Sequence, residues 1–165
     1  MKKIKILIPV YNDWQSVFKL LENIDLQLDG CDAEVSVLII NDASTESKPK
    51  INFNLNNLKS VQVIHMKKNR GHGRCNAAGL KYINEKEIYD YVIPMDGDGE
   101  DRPEEIKLLI DKAIENPDIP ITANRVKRSE SAIFKFCYLV HKWITFIFTG
   151  KSIKFGHYTC LPKSC

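Results

Sequence analysis

The sequence predicts an α/β domain with a mainly parallel sheet that is covered by helices on both faces. Apolar runs rich in β-branched residues recur along the chain with the length of strands. Stretches in which apolar residues follow helical spacing alternate with those runs, and this alternation is typical of a parallel sheet. The composition, with 44% hydrophobic and 27% charged residues, fits one globular domain over residues 1–165.

Strands and helices are predicted in strict alternation along most of the chain. The first helix follows from the spacing of Trp14, Val17 and Leu21, with Asn12 or Asp13 able to cap its start. A polar connection over residues 42–59 is predicted as a surface loop. The predicted strands are 3–10, 34–40, 61–66, 89–95 and 119–123, and the later helices lie at about 73–85, 103–115 and 131–148.

Charge is distributed unevenly along the chain, whose net charge is +3. Residues 121–165 hold eight Lys or Arg and one acid, whereas residues 1–120 hold 16 basic and 20 acidic residues. The basic segment includes the predicted helix 131–148, which could rest on an anionic membrane surface or form a core helix with a solvated basic face. Nucleic acid is not expected as a partner, because no recognisable motif accompanies the charge.

The cysteines and the N-terminus bear on where the protein acts. Five cysteines without a C-x-x-C pair argue against a disulfide framework or a structural zinc site. The N-terminus leads straight into a strand, so no secretory signal is expected, and no apolar run is long enough to cross a bilayer. We therefore expect a cytoplasmic domain, with any membrane contact peripheral and at the inner face.

The most informative motif follows the fourth predicted strand, where Asp96 and Asp98 are separated by Gly97. Both carboxylates leave the carboxyl end of the strand, where open parallel sheets bind ligands. Mg²⁺ is usually held by one or two carboxylates, and it completes its shell with waters and phosphate oxygens. The motif therefore predicts a site for a metal ion and a diphosphate.

Two plainer interpretations compete with a metal site. A calcium loop of the EF-hand type fails, because its sixth and twelfth positions hold Asp101 and Lys107 rather than Gly and Glu. Helix capping suits Asp101 and Glu104, which fit a capping box. It leaves Asp96 and Asp98 unexplained, and two carboxylates this close repel each other unless a cation joins them.

Polar side chains also follow the first two predicted strands. Tyr11 and Asp13 come after the first, and Asp42 comes after the second. An Asp at the tip of the second strand is well placed to accept a hydrogen bond from a ribose hydroxyl or a base N–H. NAD is not expected, because the first turn lacks G-x-G-x-x-G. For Tyr11 and Asp13 taken singly, a packed aromatic residue and a helix cap are the simpler interpretations.

A glycine-rich basic segment, residues 67–79, follows the third predicted strand. Backbone N–H groups at the start of the next helix, aided by Arg70 or Arg74, can hold an anionic ligand. The simpler alternative is a tight loop whose small residues let the helix pack closely. His72 is interpreted as structural or solvent-facing rather than as a metal ligand.

Taken in order, these motifs resemble those of family 2 glycosyltransferases of the GT-A fold. Residues 8–13 look like the family's opening P-x-Y-N-E/D, and residues 41–44 look like its D-D-G-S. Residues 69–79 are similar to N-x-G-x-x-x-A-x-N-x-G, and residues 96–98 fall at the metal-binding D-x-D. Two looser matches, residues 124–128 and 155–161, are similar to the branch that charges polyprenyl phosphates with a sugar.

The resemblance implies an inverting transferase that moves a sugar from a UDP- or GDP-linked donor to a polyprenyl phosphate. Residues 1–100 would be the nucleotide-binding half, and residues 101–165 would face the acceptor or membrane. Asp96 and Asp98 would hold Mg²⁺ or Mn²⁺, Asp42 would read the base, and Arg125 would assist at the diphosphate or sugar. The implied nucleotide-binding residues are Pro9, Tyr11, Asp13, Asp42, Arg70 and Asp96.

The chain departs from the family pattern where a catalytic base is expected. It has Gly156-His157-Tyr158 where the lipid-phosphate branch often has an acid, which leaves Asp98, Arg125 and His157 as the catalytic candidates. An acceptor phosphate is already anionic and needs little help from a base. The alternative is a non-catalytic nucleotide-sugar-binding or regulatory module that keeps the fold. A nucleotidyltransferase or phosphatase ranks lower, since phosphatases of the haloacid type carry D-x-D after the first strand.

Overall fold

Strands and helices alternate along much of the described chain, as the sequence predicts. The structure, a computed structural model, describes residues 1–46, 55–99, 101–123 and 158–165. The predicted helix 131–148 lies outside these residues, and none of the described helices is both long and apolar enough to cross a bilayer. In chain order the elements are β1 (Lys2–Val10), α1 (Trp14–Gln27), β2 (Ala33–Asn41), β3 (Leu58–His65), α2 (His72–Lys86), β4 (Tyr91–Pro94), a 3₁₀ turn (Pro103–Glu105), α3 (Ile106–Glu115), β5 (Ile121–Thr122) and β6 (Thr159–Pro162).

The strands form one sheet in the order β3-β2-β1-β4-β6-β5. The pairs β1–β2, β1–β4 and β2–β3 are parallel, whereas β6 runs antiparallel to β4 and β5. The register pairs Val10 with Asn41 and Asn41 with His65, so the first three strands end level with one another. We call the edge where the parallel strands end the carboxyl edge, and the opposite edge the amino edge.

Helices cover both faces of the sheet, which confirms the predicted layers. Because side chains alternate between faces along a strand, Ile6 and Ile8 of β1 pack in the cluster that includes α1 and α3, while Leu7 packs with α2. Helix α2 lies directly on the sheet at Gly79, where an added Cβ would collide with the Leu7 side chain and lie 3.1 Å from Cγ1 of Ile40.

The strand boundaries differ from the prediction mainly at β3. This strand begins at Leu58 rather than at residue 61, because the buried Asp25 carboxylate of α1 accepts the N–H groups of Asn56, Asn57 and Leu58 at 2.7–3.0 Å. The last residues of the predicted surface loop 42–59 therefore belong to the sheet.

Strand β6 was not predicted from the sequence. It is only four residues long, and its sequence Thr-Cys-Leu-Pro shows no alternation of polar and apolar residues that would signal a strand. Tyr158 and Cys160 are nonetheless buried in the core, and the N–H of Ala123 donates to the carbonyl of Tyr158 at 2.9 Å. Long-range pairing with β4 and β5 thus decides this element.

The predicted capping box of Asp101 and Glu104 is wrong. Helix α3 is preceded by the 3₁₀ turn, and neither element begins with a side-chain cap hydrogen bond among the described residues. The Asp101 carboxyl group is 2% exposed and accepts the N–H of Asp96 at 3.0 Å. This amide lies beyond the end of β4, where it needs an acceptor outside the sheet, and Asp101 supplies it.

Candidate functional site

A cavity of about 230 Å³ opens at the carboxyl edge between the loops that follow β1 and β4. It contains residues predicted from two separate motifs, which the parallel order of β1 and β4 brings side by side. The lining residues are Pro9, Val10, Tyr11, Asp13, Val17, His72, Asp96, Gly97 and Asp98.

The β1 side of the cavity presents an aromatic ring and a carboxylate. Tyr11 is 49% exposed, so the simpler interpretation of a packed aromatic residue does not hold. Asp13 caps α1 by accepting the N–H of Ser16 at 3.4 Å, and it also borders the cavity. The helix-cap interpretation of Asp13 is therefore confirmed, and it is compatible with a place in the site.

On the β4 side of the cavity, Asp96 and Asp98 flank Gly97, a position with little room for a larger side chain. A Cβ at Gly97 would lie 3.0 Å from Cγ2 of Val17 and 3.1 Å from the carbonyl oxygen of Pro9. The loop after β4 therefore packs directly on the end of β1. Together with the hydrogen bond that Asp101 accepts from Asp96, this contact determines where the two carboxylates stand.

His72, at the start of α2, is the cavity residue whose position the sequence did not indicate. Its Nε2 lies 3.4 Å from Oδ1 of Asp96 and 2.9 Å from Nδ2 of Asn76. The Oδ1 of Asn76 is buried and has no hydrogen-bond partner among the described residues. The only signal was indirect, since the glycine-rich segment after β3 had to reach the same edge as the acidic pair.

Asp42 lies beneath the turn that leads into α2 and is not among the residues that line the cavity. It is 3% exposed, and its two carboxylate oxygens accept the N–H groups of Arg70 and Gly71, each at 2.7 Å. Burial alone would raise the pKa of Asp42, but hydrogen bonds from these amides and from the Cys75 thiol lower it. Burial and the neighbouring Asp42 raise the pKa of Cys75 to about 12.

In this arrangement Asp42 and Arg70 have a structural role. Both carboxylate oxygens of Asp42 stabilise the turn, and Arg70 takes part through its backbone N–H. The predicted role of Asp42 in reading a base, and that of Arg70 in binding a nucleotide, stay predictions.

The side chains at the cavity suit a hard divalent cation that shares its shell with a ligand. Within the described part of the chain, no three His, Cys, Asp or Glu residues converge into a complete metal site. One or two carboxylates are the usual protein contribution to a Mg²⁺ ion that also contacts substrate phosphates. Asp96 and Asp98 are carboxylate residues of that kind at the cavity wall.

The two remaining catalytic candidates, Arg125 and His157, lie outside the described residues. Tyr158 follows His157 directly and is 3% exposed in the core, where burial raises the pKa of its hydroxyl group. The end of the motif 155–161 is thus anchored in the sheet by β6.

Solved structures of sugar transferases share this fold. A mannosyltransferase from Pyrobaculum calidifontis, PcManGT in complex with GDP-Man and Mn²⁺, superimposes with a TM-score of 0.59 at 16% identity, over 98% of this chain and 44% of that one. S. aureus TarS 1-349 in complex with UDP-GlcNAc superimposes with a TM-score of 0.54 at 20% identity, over 81% of this chain and 38% of that one. These likenesses confirm the GT-A fold class that the sequence motifs predicted.

Sequence comparison leads to the same group of proteins. An undecaprenyl-phosphate 4-deoxy-4-formamido-L-arabinose transferase of Klebsiella pneumoniae (strain 342) is 28% identical over 166 aligned residues, which cover 99% of this chain and 49% of that relative. The chain thus spans about half the length of this curated relative. The family model for glycosyl transferase family 2 matches residues 5–165. This chain therefore belongs to glycosyl transferase family 2.

Proposed function

We propose that this chain is the donor-binding domain of an inverting, metal-dependent glycosyltransferase that transfers a sugar from a nucleotide diphosphate to a polyprenyl phosphate. The observation that carries the proposal is the cavity at the carboxyl edge. It joins the aromatic ring and carboxylate that follow β1 to the acidic pair that follows β4. Those are the features needed to bind a nucleotide, a diphosphate and a cation at one place.

The cavity residues divide the work of binding the donor. Tyr11 offers an exposed ring to the nucleotide, and Pro9 also lines the cavity. Asp96 and Asp98 hold Mg²⁺ or Mn²⁺, which when bound offsets the negative charge that develops on the leaving nucleoside diphosphate. His72 lines the same cavity, and in this proposal its imidazole contacts a diphosphate oxygen. A donor with Mn²⁺ is also what PcManGT binds.

A phosphate acceptor suits a chain that has Gly156-His157-Tyr158 where the lipid-phosphate branch often has an acid. The acceptor oxygen is already anionic, so it attacks the anomeric carbon without first losing a proton. Undecaprenyl phosphate is the acceptor named for the Klebsiella relative. A lipid-linked acceptor places the domain at the inner face of a membrane. The basic residues 121–165 would then lie next to the anionic lipid surface.

Calorimetry and a transfer assay on the intact protein test the proposal. The protein is titrated with UDP-sugars and GDP-sugars with and without Mn²⁺, and the transfer of radiolabelled sugar to undecaprenyl phosphate is then measured. We expect binding of one donor class that strengthens when Mn²⁺ is present, followed by transfer to the lipid.

Two outcomes would count against the proposal in different ways. If no donor of either class binds with or without the ion, the nucleotide-sugar assignment is wrong. If a donor binds tightly and nothing is transferred to polyprenyl phosphate or to other membrane acceptors, the protein is the non-catalytic binding module instead.

A further inference from the structure

Asn12 lies in the chain between two residues that line the cavity, Tyr11 and Asp13. Its backbone is in the left-handed region, with a φ of 52°. This conformation is unfavourable for most residues with a side chain, although Asn tolerates it better than most.

The Asn12 side chain joins the loop after β1 to the loop after β2. Its Oδ1 accepts the N–H groups of Thr45 at 2.8 Å and Glu46 at 3.2 Å. Its Nδ2 donates to Oγ1 of Thr45 at 3.0 Å, and its own backbone N–H donates to Oγ of Ser44 at 2.9 Å. We call this set of hydrogen bonds between Asn12 and residues 44–46 the Asn12 clasp.

The residues on the far side of the clasp are themselves held in place. Ala43 also adopts a left-handed conformation, with a φ of 56°, which turns the following amides toward Asn12. The N–H of Ser44 donates to Oδ1 of Asn41 at 2.9 Å, and Nδ2 of Asn41 lies 2.9 Å from Nδ1 of His65. A continuous chain of hydrogen bonds thus links the carboxyl ends of β1, β2 and β3.

The chemistry of this position suits asparagine better than its closest substitutes. Its amide supplies both an acceptor and a donor, and the clasp uses both. Aspartate would keep the acceptor, lose the donor and place a negative charge beside Glu46. Glycine would keep the left-handed backbone and lose every side-chain bond of the clasp.

We infer that Asn12 is a positioning residue for the nucleotide-sugar donor, because the clasp fixes the loop that carries Tyr11 and Asp13 at the cavity wall. The inference rests on the proposed function of that cavity. Asn12 itself does not line the cavity, so it acts through its neighbours.

Hydrogen exchange and donor titration together test the inference, with Asn12→Gly as the main variant. We expect the Thr45 and Glu46 amides to exchange about tenfold faster in the ligand-free variant, because opening of the clasp becomes easier. The Kd of the Mn²⁺–donor complex should rise about tenfold, because a mispositioned loop binds the donor less well. Asn12→Asp, which keeps Oδ1, should fall between the wild type and Asn12→Gly in Kd.

Asn57→Gly is the matched control at the amino edge. The Nδ2 of Asn57 donates to the backbone oxygen of Asp25 at 2.8 Å, so this variant also loses an asparagine bond that ties two segments together. It should lower the midpoint of urea unfolding and leave the donor Kd within about twofold of the wild type. A purely structural role for Asn12 would give the same result for both variants.

The possible results separate this inference from the proposed function. If the Thr45 and Glu46 amides exchange at the wild-type rate in Asn12→Gly, the clasp does not hold the loop and the inference is wrong. If exchange quickens while the donor Kd stays the same, Asn12 is structural and its positioning role is wrong. If wild-type protein binds no donor, the proposed function is wrong, and with it the positioning role.

Discussion

At the amino edge of the sheet, Asp25 is 5% exposed and accepts three backbone N–H groups, whereas Asp98 at the carboxyl edge is exposed beside a cavity. Lys5 and Glu87, toward the amino edge, form a half-buried ion pair at 2.9 Å. The amino edge thus uses charged side chains to hold the fold together. The carboxyl edge buries Asp42 as well, but it also places Asp96 and Asp98 at the wall of a cavity.

The two edges also differ in backbone conformation. Asn12 and Ala43, which are the non-glycine residues with positive φ among the described residues, both lie at the carboxyl edge. Strained backbone persists only where its surroundings hold it in place, and it is often found near functional sites. Among the described residues, left-handed non-glycine backbone is thus confined to the edge where the cavity lies.

The largest effect is expected from Asp98→Ala, which should lower metal-dependent sugar transfer at least about a hundredfold, since a bound cation contributes several kcal/mol to catalysis. The free energy of unfolding should change little, because Asp98 is exposed. Asp111→Ala is the matched control, since it removes a carboxylate that pairs with Lys107 on the surface of α3. The transfer of radiolabelled sugar, measured with and without Mn²⁺, shows the loss, and an unchanged Mn²⁺ dependence would contradict the assignment.

Asp25→Ala should do the opposite and lower the free energy of unfolding by about 3 kcal/mol, because three amides lose a charged acceptor. Urea unfolding measures the loss. The donor Kd should stay within about twofold of the wild type, since Asp25 lies at the amino edge. A large change in the donor Kd with an unchanged free energy of unfolding would contradict the difference that we infer between the two edges.

The contribution of Asp25 to stability depends on pH. Burial raises the pKa of Asp25, but the hydrogen bonds from Asn56, Leu58 and Asn57 outweigh it and lower the pKa below the ordinary 3.8. The stability that Asp25 contributes is therefore complete above pH 3.8 and is lost as the pH falls through the lower, folded-state pKa. The difference in stability between wild type and Asp25→Asn should shrink over that acid range.

A smaller effect is expected from His72→Ala, which should weaken donor binding about tenfold, the usual order for one hydrogen bond to a charged group. His72 is a sharp test because the sequence did not indicate it as a cavity residue. Lys81→Ala, an exposed change in the same helix, is the control and should leave the Kd unchanged. Equal affinities for His72→Ala and wild type would remove His72 from the site.

The smallest effect is expected from Ala43→Gly, which should stabilise the protein by about 0.5 kcal/mol. Glycine relieves the left-handed strain at a φ of 56°, and the gain is partly offset by its greater freedom in the unfolded chain. Ala77→Gly in α2 is the control and should destabilise the protein by about 1 kcal/mol. If Ala43→Gly also lowered the free energy of unfolding, the left-handed backbone at residue 43 would not be destabilising the carboxyl edge.

Much of the sheet could be predicted because its signals are local. The runs of branched apolar residues before Val10, Asn41 and Pro94 show where β1, β2 and β4 end, and the spacing of Trp14, Val17 and Leu21 shows α1. The parallel arrangement follows from the alternation of these elements. β6 and the early start of β3 escaped prediction because both depend on partners far along the chain, namely β4 and Asp25.

For the candidate site, the sequence indicated which types of residue to expect, and the fold showed which residues they contact. Acidic residues after β1 and β4 could be expected at one edge, and the structure does place Asp13, Asp96 and Asp98 around one cavity. The bonds of Asp42 to the turn before α2 could not be foreseen. A carboxylate that reads a ligand and one that stabilises a turn look alike in a sequence.

Most of the strands and helices, and the acidic residues at the strand ends, follow from the amino-acid sequence alone, because hydrophobic periodicity and turn chemistry act over short stretches of chain. How those strand ends are joined depends on the tertiary structure. It packs Gly97 against Pro9, brings His72 to Asp96 and ties Asn12 to Thr45. Each of these contacts links segments far apart in the chain, so its geometry depends on the packing of the whole sheet.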